Sequence, residues 1–327
     1  MDRRKRGLIA AVASLTLFAI AFWNLTHPSS SPSTATNTTA GATTTAGATS
    51  RSFAPAPGPP LSVLRVIANN AGLVAPREAI VLPNQRIALV DTGKARLVIL
   101  SPDGHVLHAT QAGHLTQPFA LATDGAYIYV LDAGQATIER YNLKGQFRGE
   151  LIHKQGLLSD GRGLAITSGA LYVANPRANS IVAFALPDGK VRHVFTSPSG
   201  DTGASQYLQP SDVAVDPEGD VYSVEVDNYI KMRQSDGRFI QRWPTPGFVT
   251  VLPVHVLPLS PGRLLASDPS GALLSYVGTD EPIRYPLQLK GKVLTDVEPQ
   301  GVSRFADGTI LVTDAHGNRL LVVAPPP

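Results

Sequence analysis

Residues 210–233 read PSDVAVDPEGDVYSVEVDNYIKMR, a pattern that predicts the secondary structure of the whole body of the chain. Apolar residues alternate with polar ones in three short runs, and Asp, Glu, Gly and Asn separate these runs. Alternation of this kind predicts β-strands, and the separating residues favour tight turns. The stretch therefore predicts three strands joined by hairpins. Its many carboxylates would suit either repeated turns or a binding site.

The same pattern occurs six times along the chain, which we number as repeats one to six. The repeats begin at Pro76, Pro118, Gly161, Pro210, Pro253 and Pro299. A fourth strand is predicted after the third in repeats one to five, and four strands in about 45 residues are the content of a propeller blade. The sixth repeat lacks a fourth strand, but the unpaired strand LSVLRVIA precedes repeat one. We predict an all-β, six-bladed β-propeller over residues 61–327, closed by that N-terminal strand so that no sheet edge stays exposed.

The repeats resemble the NHL repeat, in which Pro-x-Gly-apolar-Ala-apolar-Asp is followed by Gly, a strand ending in Ala-Asp, and then Asn and Arg-Ile. Residues 210–222, PSDVAVDPEGDVY, fit its first half, while DAHGNRL from Asp314 and DTGKARL from Asp91 fit its second half. The resemblance covers residues 61–327 and implies a propeller. It implies less about activity, because NHL propellers mostly bind proteins, glycans or RNA and a few are enzymes.

The N-terminal part of the chain differs from the repeats in composition. Residues 1–6, MDRRKR, form a basic flank that accounts for the formal net charge of +3, so the rest offers no basic face to nucleic acid. Residues 7–24 are apolar and include Trp23, which predicts a transmembrane anchor with its basic flank in the cytoplasm. The alternative is a cleaved signal peptide with Ala19-Ile20-Ala21 at its cleavage site. Residues 25–60 predict a flexible Ser/Thr/Pro-rich linker, so the propeller lies outside the cytoplasm, anchored or secreted.

An acidic or amide residue closes the second strand of every repeat. These residues are Asp91, Asp132, Asn175, Glu225, Asp268 and Asp314. Because they recur at the same position, we interpret them as turn residues that bind nearby backbone groups. The chain has no Cys, which excludes disulfides and thiolate sites.

The position two residues after the start of each repeat is more informative, since the NHL pattern has Gly there. Glu78, Asp212 and His255 depart from Gly in repeats one, four and five. First strands of a propeller surround its channel, so these side chains are candidates for one ligand site at the channel mouth, or they line a polar, water-filled channel without a ligand. Two carboxylates and an imidazole also suit a divalent cation. Arg77-Glu78-Ala79 resembles the Glu-Gly-Pro of the regucalcin and gluconolactonase propellers, which would imply calcium or zinc.

We interpret the chain as a membrane-tethered, extracytoplasmic, non-enzymatic binding or scaffold module for a protein or cell-surface glycan. No cofactor is expected under this interpretation. The alternative is a metal-dependent lactonase or hydrolase that uses Glu78, Asp212 and His255. The irregular connection over residues 196–209 is either a contact loop or a floppy insertion.

Overall fold

The structure is a computed structural model, and it describes residues 55–167, 169–197, 203–245, 254–278 and 281–327. The predicted basic flank, the predicted anchor and the linker up to residue 54 lie outside these ranges. The described residues contain two short helices, a 3-10 helix at Thr92–Lys94 and α1 at Gln155–Leu158. In the described ranges no helix has the length and apolarity to span a membrane.

Two strands precede the repeats, β1 (Ala56–Pro57) and β2 (Leu61–Ile67). Each of repeats one to four then forms its own four-stranded antiparallel sheet, with the strands in chain order. Repeat one contains β3 (Pro76–Val81), β4 (Ile87–Asp91), β5 (Arg96–Leu100) and β6 (Val106–Ala109). Repeat two contains β7 (Pro118–Thr123), β8 (Tyr127–Asp132), β9 (Thr137–Asn142) and β10 (Phe147–His153). Repeat three contains β11 (Gly163–Thr167), β12 (Ala170–Asn175), β13 (Ser180–Ala185) and β14 (Val191–Thr196). Repeat four contains β15 (Asp212–Val215), β16 (Val221–Glu225), β17 (Tyr229–Arg233) and β18 (Phe239–Pro244).

Repeats five and six share one larger sheet. Repeat five contains β19 (Val256–Ser260), β20 (Arg263–Asp268), β21 (Ala272–Val277), β22 (Ile283–Leu289) and β23 (Lys292–Val293). Repeat six contains β24 (Pro299–Arg304), β25 (Ile310–Asp314) and β26 (Arg319–Val323). The main strand order is β19-β20-β21-β22-β2-β26-β25-β24. The N-terminal strand therefore becomes the outer strand of repeat six.

The pairing of β2 explains how this sheet is joined. Val63 lies opposite Val323 in antiparallel pairing with β26, as the sequence predicted, while Leu61 pairs in parallel with Leu287 of β22. The end of the predicted linker also joins the sheet, because Ala56 pairs in parallel with β22. The sheet thus begins a few residues before the predicted boundary at Leu61.

The repeats pack face to face, which follows from the alternation in their strands. In β8, Ile128 and Val130 pack towards repeat one, whereas Tyr129 and Leu131 pack towards repeat three. Successive side chains point to opposite faces of a strand, so both faces of a sheet between two neighbours must be apolar. Similar apolar clusters join each repeat to the next, and one of them joins repeat six to repeat one. The molecule is therefore an all-β propeller.

Candidate ligand-binding site

The residues that open the first strands line one cleft. They are Arg77, Glu78, Arg162, Asp212, Val254, His255, Gln300 and Gly301. The cleft holds about 220 Å³ of space, part of which is open solvent. All three residues singled out by their departure from Gly belong to this set, although they come from repeats one, four and five. The ring of first strands brings them together.

Asp212 and His255 form a contact between repeats four and five. Asp212 begins β15 and His255 directly precedes β19, and the His255 Nδ1 atom lies 3.4 Å from Asp212 Oδ2. The same oxygen accepts a hydrogen bond of 2.8 Å from the backbone N–H of Val256. Burial opposes a charge on the imidazole, but the charge and hydrogen bond of Asp212, with the charge of Glu78, raise the pKa of His255 to about 9.

Glu78 is buried in β3, with 6% of its surface exposed. Burial raises the pKa of its carboxyl to about 7, with His255 opposing the shift and Asp212 adding to it. A hydrogen bond from the backbone N–H of Leu121 also opposes the rise. The cleft thus contains a carboxyl that exchanges its proton near neutral pH beside an imidazole that keeps its proton there.

Two glycines allow the neighbouring strands to approach these carboxylates. A Cβ atom on Gly163 would lie 2.5 Å from Asp212 Oδ1 and 2.6 Å from the backbone nitrogen of Val213. A Cβ on Gly301 would lie 2.9 Å from the Glu78 Cα. Both glycines occupy the equivalent position in the preceding repeat. Asp212 and Glu78 therefore fit at their positions because the preceding repeat has Gly at the equivalent position.

Arg77, Phe119 and Arg162 form a cluster that the sequence did not single out. The Arg77 guanidinium carbon lies 4.7 Å from the centre of the Phe119 ring, and that of Arg162 lies 4.4 Å from it. Each of the three residues directly follows the first residue of its repeat, in repeats one, two and three. That shared position was the available signal, but the NHL pattern sets no preference there.

The residues that close the second strands bind nearby backbone groups, as their recurrence predicted. Asp132, for example, accepts hydrogen bonds from the backbone N–H groups of Thr116 and Gln117 at 2.6 and 2.8 Å. Asp314 likewise binds the N–H groups of Glu298 and Gly317 at 3.0 Å each. In repeats two and six these contacts tie the connection that enters the repeat to the end of its second strand.

The cleft residues fit a divalent cation poorly. Asp212 Oδ2 already accepts the Val256 N–H, the imidazole of His255 holds a proton at neutral pH, and Arg77 adds positive charge. Metal ligands must be deprotonated and are favoured by negative surroundings. Over the described ranges, no group of three or more His, Asp or Glu side chains is arranged to hold a metal ion. The calcium or zinc hypothesis for Glu78, Asp212 and His255 stays a prediction.

Comparison with known proteins shows similarity in structure alone. No family model matches the chain, and no curated protein matches it. A streptogramin B lyase structure superposes with a TM-score of 0.59 and 12% identity over 80% of this chain and 96% of that chain. A catalytically inactive virginiamycin B lyase from Staphylococcus aureus, with quinupristin, superposes with a TM-score of 0.56 and 15% identity over 77% of this chain and 80% of that chain. A structure of a nidogen/laminin complex superposes with a TM-score of 0.53 and 16% identity over 64% of this chain and 79% of that chain. Identities this low show the propeller fold only.

Proposed function

We propose that this protein is a six-bladed propeller that works as an extracytoplasmic binding module, with its ligand site in the cleft around Glu78, Asp212 and His255. The observation that carries the proposal is the convergence of these ionisable groups from three repeats, with the pKa of Glu78 near 7 and that of His255 near 9. Buried ionisable groups with shifted pKa values are enriched at functional sites.

The blade number rests on the packing between the repeats. Apolar clusters join repeat one to two, two to three, three to four, four to five, five to six and six to one. In the described residues, repeats five and six are joined into one sheet by the short parallel pairing of β2 with β22 at Leu61 and Ser62. On this ground we propose one blade for each of them, with β2 as the outer strand of the sixth blade.

A protein or a cell-surface glycan is the proposed partner. The resemblance to NHL repeats supports a binding role, and the propeller in the nidogen/laminin complex provides a structural precedent for protein binding by this fold.

Membrane tethering rests on the composition of residues 7–24. The chain has no Cys, so a single Arg177→Cys variant, at a side chain that is 82% exposed, offers a unique labelling position. We expect a membrane-impermeant maleimide to label this variant in intact spheroplasts. Labelling only after lysis would contradict the proposed location.

The binding site is tested by capturing partners from cell-envelope extracts with the full-length protein. Glu78→Gln and His255→Gln change the cleft, whereas Lys190→Gln changes an exposed residue far along the chain and serves as the control. We expect a partner that the wild type and the control retain, and that both cleft variants lose. Equal capture by all four proteins would place the binding site elsewhere.

An enzyme is the second candidate function, and the pKa of Glu78 near 7 is the observation that favours it. A carboxylate with such a pKa can accept and return a proton at neutral pH. The lyase structures on the same fold make a lyase, a lactonase or another hydrolase the classes to test. A panel of lactones, esters and cyclic peptide esters, with calcium or zinc added or removed, would reveal turnover that Glu78→Gln and Asp212→Ala abolish. Absence of turnover on every substrate with either metal would favour the binding module.

A further inference from the structure

Among the described residues, two guanidinium groups of the cleft form no ion pair with a carboxylate, although the charges of Asp212, Glu78 and Glu298 act on Arg77 from farther away. Within the described residues, neither Arg77 nor Arg162 has an ion pair or a side-chain hydrogen bond, and their resolved contact is with the ring of Phe119. Other arginines of the same propeller do have such partners. Arg96, Arg233, Arg284 and Arg319 each lie 2.7 or 2.8 Å from a carboxylate oxygen. The donors of Arg77 and Arg162 therefore remain available at the cleft.

Phe119 holds the two guanidinium groups near each other. Its ring is 7% exposed and lies within 5 Å of both guanidinium carbons, which is the range of a cation–π contact. Burial, with the like charge of Arg162, lowers the pKa of Arg77 to about 10. Partial desolvation also lowers the pKa of Arg162, although this residue is exposed at the rim of the cleft. An anion that binds beside the two guanidinium groups would offset the cost that burial and the charge of Arg162 impose on Arg77.

The remaining cleft residues indicate which anion fits. A guanidinium group presents a planar fork of N–H donors that matches a carboxylate or a phosphate. Arg77, Arg162 and His255 bring positive charge to this cleft, and Asp212 and, in part, Glu78 bring negative charge, so its small net positive charge matches a singly charged carboxylate. Glu78 in its protonated form can also donate a hydrogen bond to a bound carboxylate.

We propose that Arg77, Phe119 and Arg162 form a subsite for a carboxylate group of the ligand, such as the carboxyl terminus of a peptide. This inference rests on the proposed function, because it assigns the ligand chemistry of the same cleft. The two guanidinium groups bind the carboxylate, and the Phe119 ring fixes their positions and provides an apolar wall. The carboxylate replaces the ion-pair partner that these arginines lack.

The test is calorimetric titration of the full-length protein with N-acetyl-Ala-Ala, with its C-terminal amide, and with inorganic phosphate. We expect the free carboxylate to bind at least about tenfold more tightly than the amide, since charge-assisted hydrogen bonds are lost with the charge. Arg162→Gln should weaken binding of the carboxylate by about tenfold or more. Arg177→Gln, at an exposed arginine, should leave it unchanged. Thermal unfolding of each variant verifies that it is folded.

Two sets of outcomes separate this inference from the proposed function. Equal binding of the acid and the amide, tighter binding of phosphate, or no binding of the acid would overturn the carboxylate subsite. Retention of the envelope partner by Arg162→Gln, together with its loss in Glu78→Gln, would also overturn the subsite while leaving the proposed function intact. Retention of the partner by both variants would contradict the proposed function itself.

Discussion

At the scale of single residues, the contact between Gly163 and Asp212 determines how closely repeats three and four approach at the cleft. We expect Gly163→Ala to lower the free energy of unfolding by about 1–3 kcal/mol, because the added methyl group would overlap Asp212 and the backbone at Val213. Urea denaturation measures the change. Gly156→Ala is the matched control, since a Cβ there meets no atom within 4 Å. Gly156 lies in α1, where Ala is slightly stabilising. Equal effects of the two substitutions would contradict the close approach.

The ionisation of Glu78 and His255 makes stability depend on pH. The pKa of Glu78 rises from 4.5 to about 7 on folding, and that of His255 rises from 6.5 to about 9, with Arg77 and Asp212 as the facing charges. The folded chain therefore binds more protons than the unfolded chain in both intervals. The stabilisation from Glu78 is complete below about pH 4.5 and is lost as the pH rises through 7. The stabilisation from His255 is complete below about pH 6.5 and is lost as the pH rises through 9.

We expect Glu78→Gln to remove the decline in stability between about pH 4.5 and 7, and His255→Gln to remove the decline between about pH 6.5 and 9. The change attributable to Glu78 is about 3 kcal/mol, from a pKa shift of about 2.5. Urea unfolding of the wild type and both variants at pH 4.5, 7 and 9 measures these differences. Parallel profiles for the three proteins would show that neither group has a shifted pKa.

The sequence singled out cleft residues where a pattern was broken and gave no signal where none existed, and ligand binding by Glu78, Asp212 and His255 stays a prediction. Glu78, Asp212 and His255 stood out because each replaces a Gly that the repeat prefers, and the structure brings them to one cleft. Arg77 and Arg162 did not stand out, because the preceding position accepts any residue. Their relation to Phe119 arises only when the ring places repeats one, two and three side by side.

At the scale of elements, a buried charge cluster holds the connection that enters repeat four. Lys231 of β17 is fully buried and lies 2.9 Å from Glu225 and 2.6 Å from Asp227, and its Nζ donates to the Gln206 carbonyl at 2.7 Å. The backbone N–H of Leu208 donates to Glu225 at 2.7 Å. The described end of the irregular connection, residues 203–208, is therefore fixed against the sheet. The second strand of repeat four ends in Glu225, where most other repeats have Asp, and the longer Glu side chain contacts both Lys231 and the Leu208 N–H.

We expect Lys231→Met to lower the free energy of unfolding by about 3 kcal/mol, because Glu225 and Asp227 would lose a buried cationic partner. Residues 203–208 should also lose protection in hydrogen exchange. Lys190→Met is the control, since Lys190 forms its ion pair with Asp188 in solvent and should change neither measurement. A similar result for both variants would mean that the buried cluster does not hold the connection.

At the scale of the whole molecule, the repeat pattern was sufficient to predict the ring, because each repeat provides apolar residues to both of its neighbours. The pairing of β2 with β26 could also be predicted, since repeat six lacked an outer strand and Leu61 begins a strand without a repeat. The parallel contacts of β1 and β2 with β22 could not. They involve two residue pairs each, which is too short for a pattern of alternation to specify their register.

Closure by β2 makes the N-terminal strand a determinant of the stability of the whole propeller. Val63 of β2 is buried and pairs with Val323, whereas the adjacent Leu64 is 54% exposed. We expect Val63→Lys to lower the free energy of unfolding by about 3 kcal/mol or more, because a charge would enter an apolar cluster without a partner. Leu64→Lys, with the same new side chain one residue later, should leave stability nearly unchanged. Val63→Lys should also expose the edges of β22 and β26, so aggregation measured by light scattering should rise with its unfolding. Loss of stability in Leu64→Lys but not in Val63→Lys would show that β2 turns the Leu64 face, and not the Val63 face, towards the core.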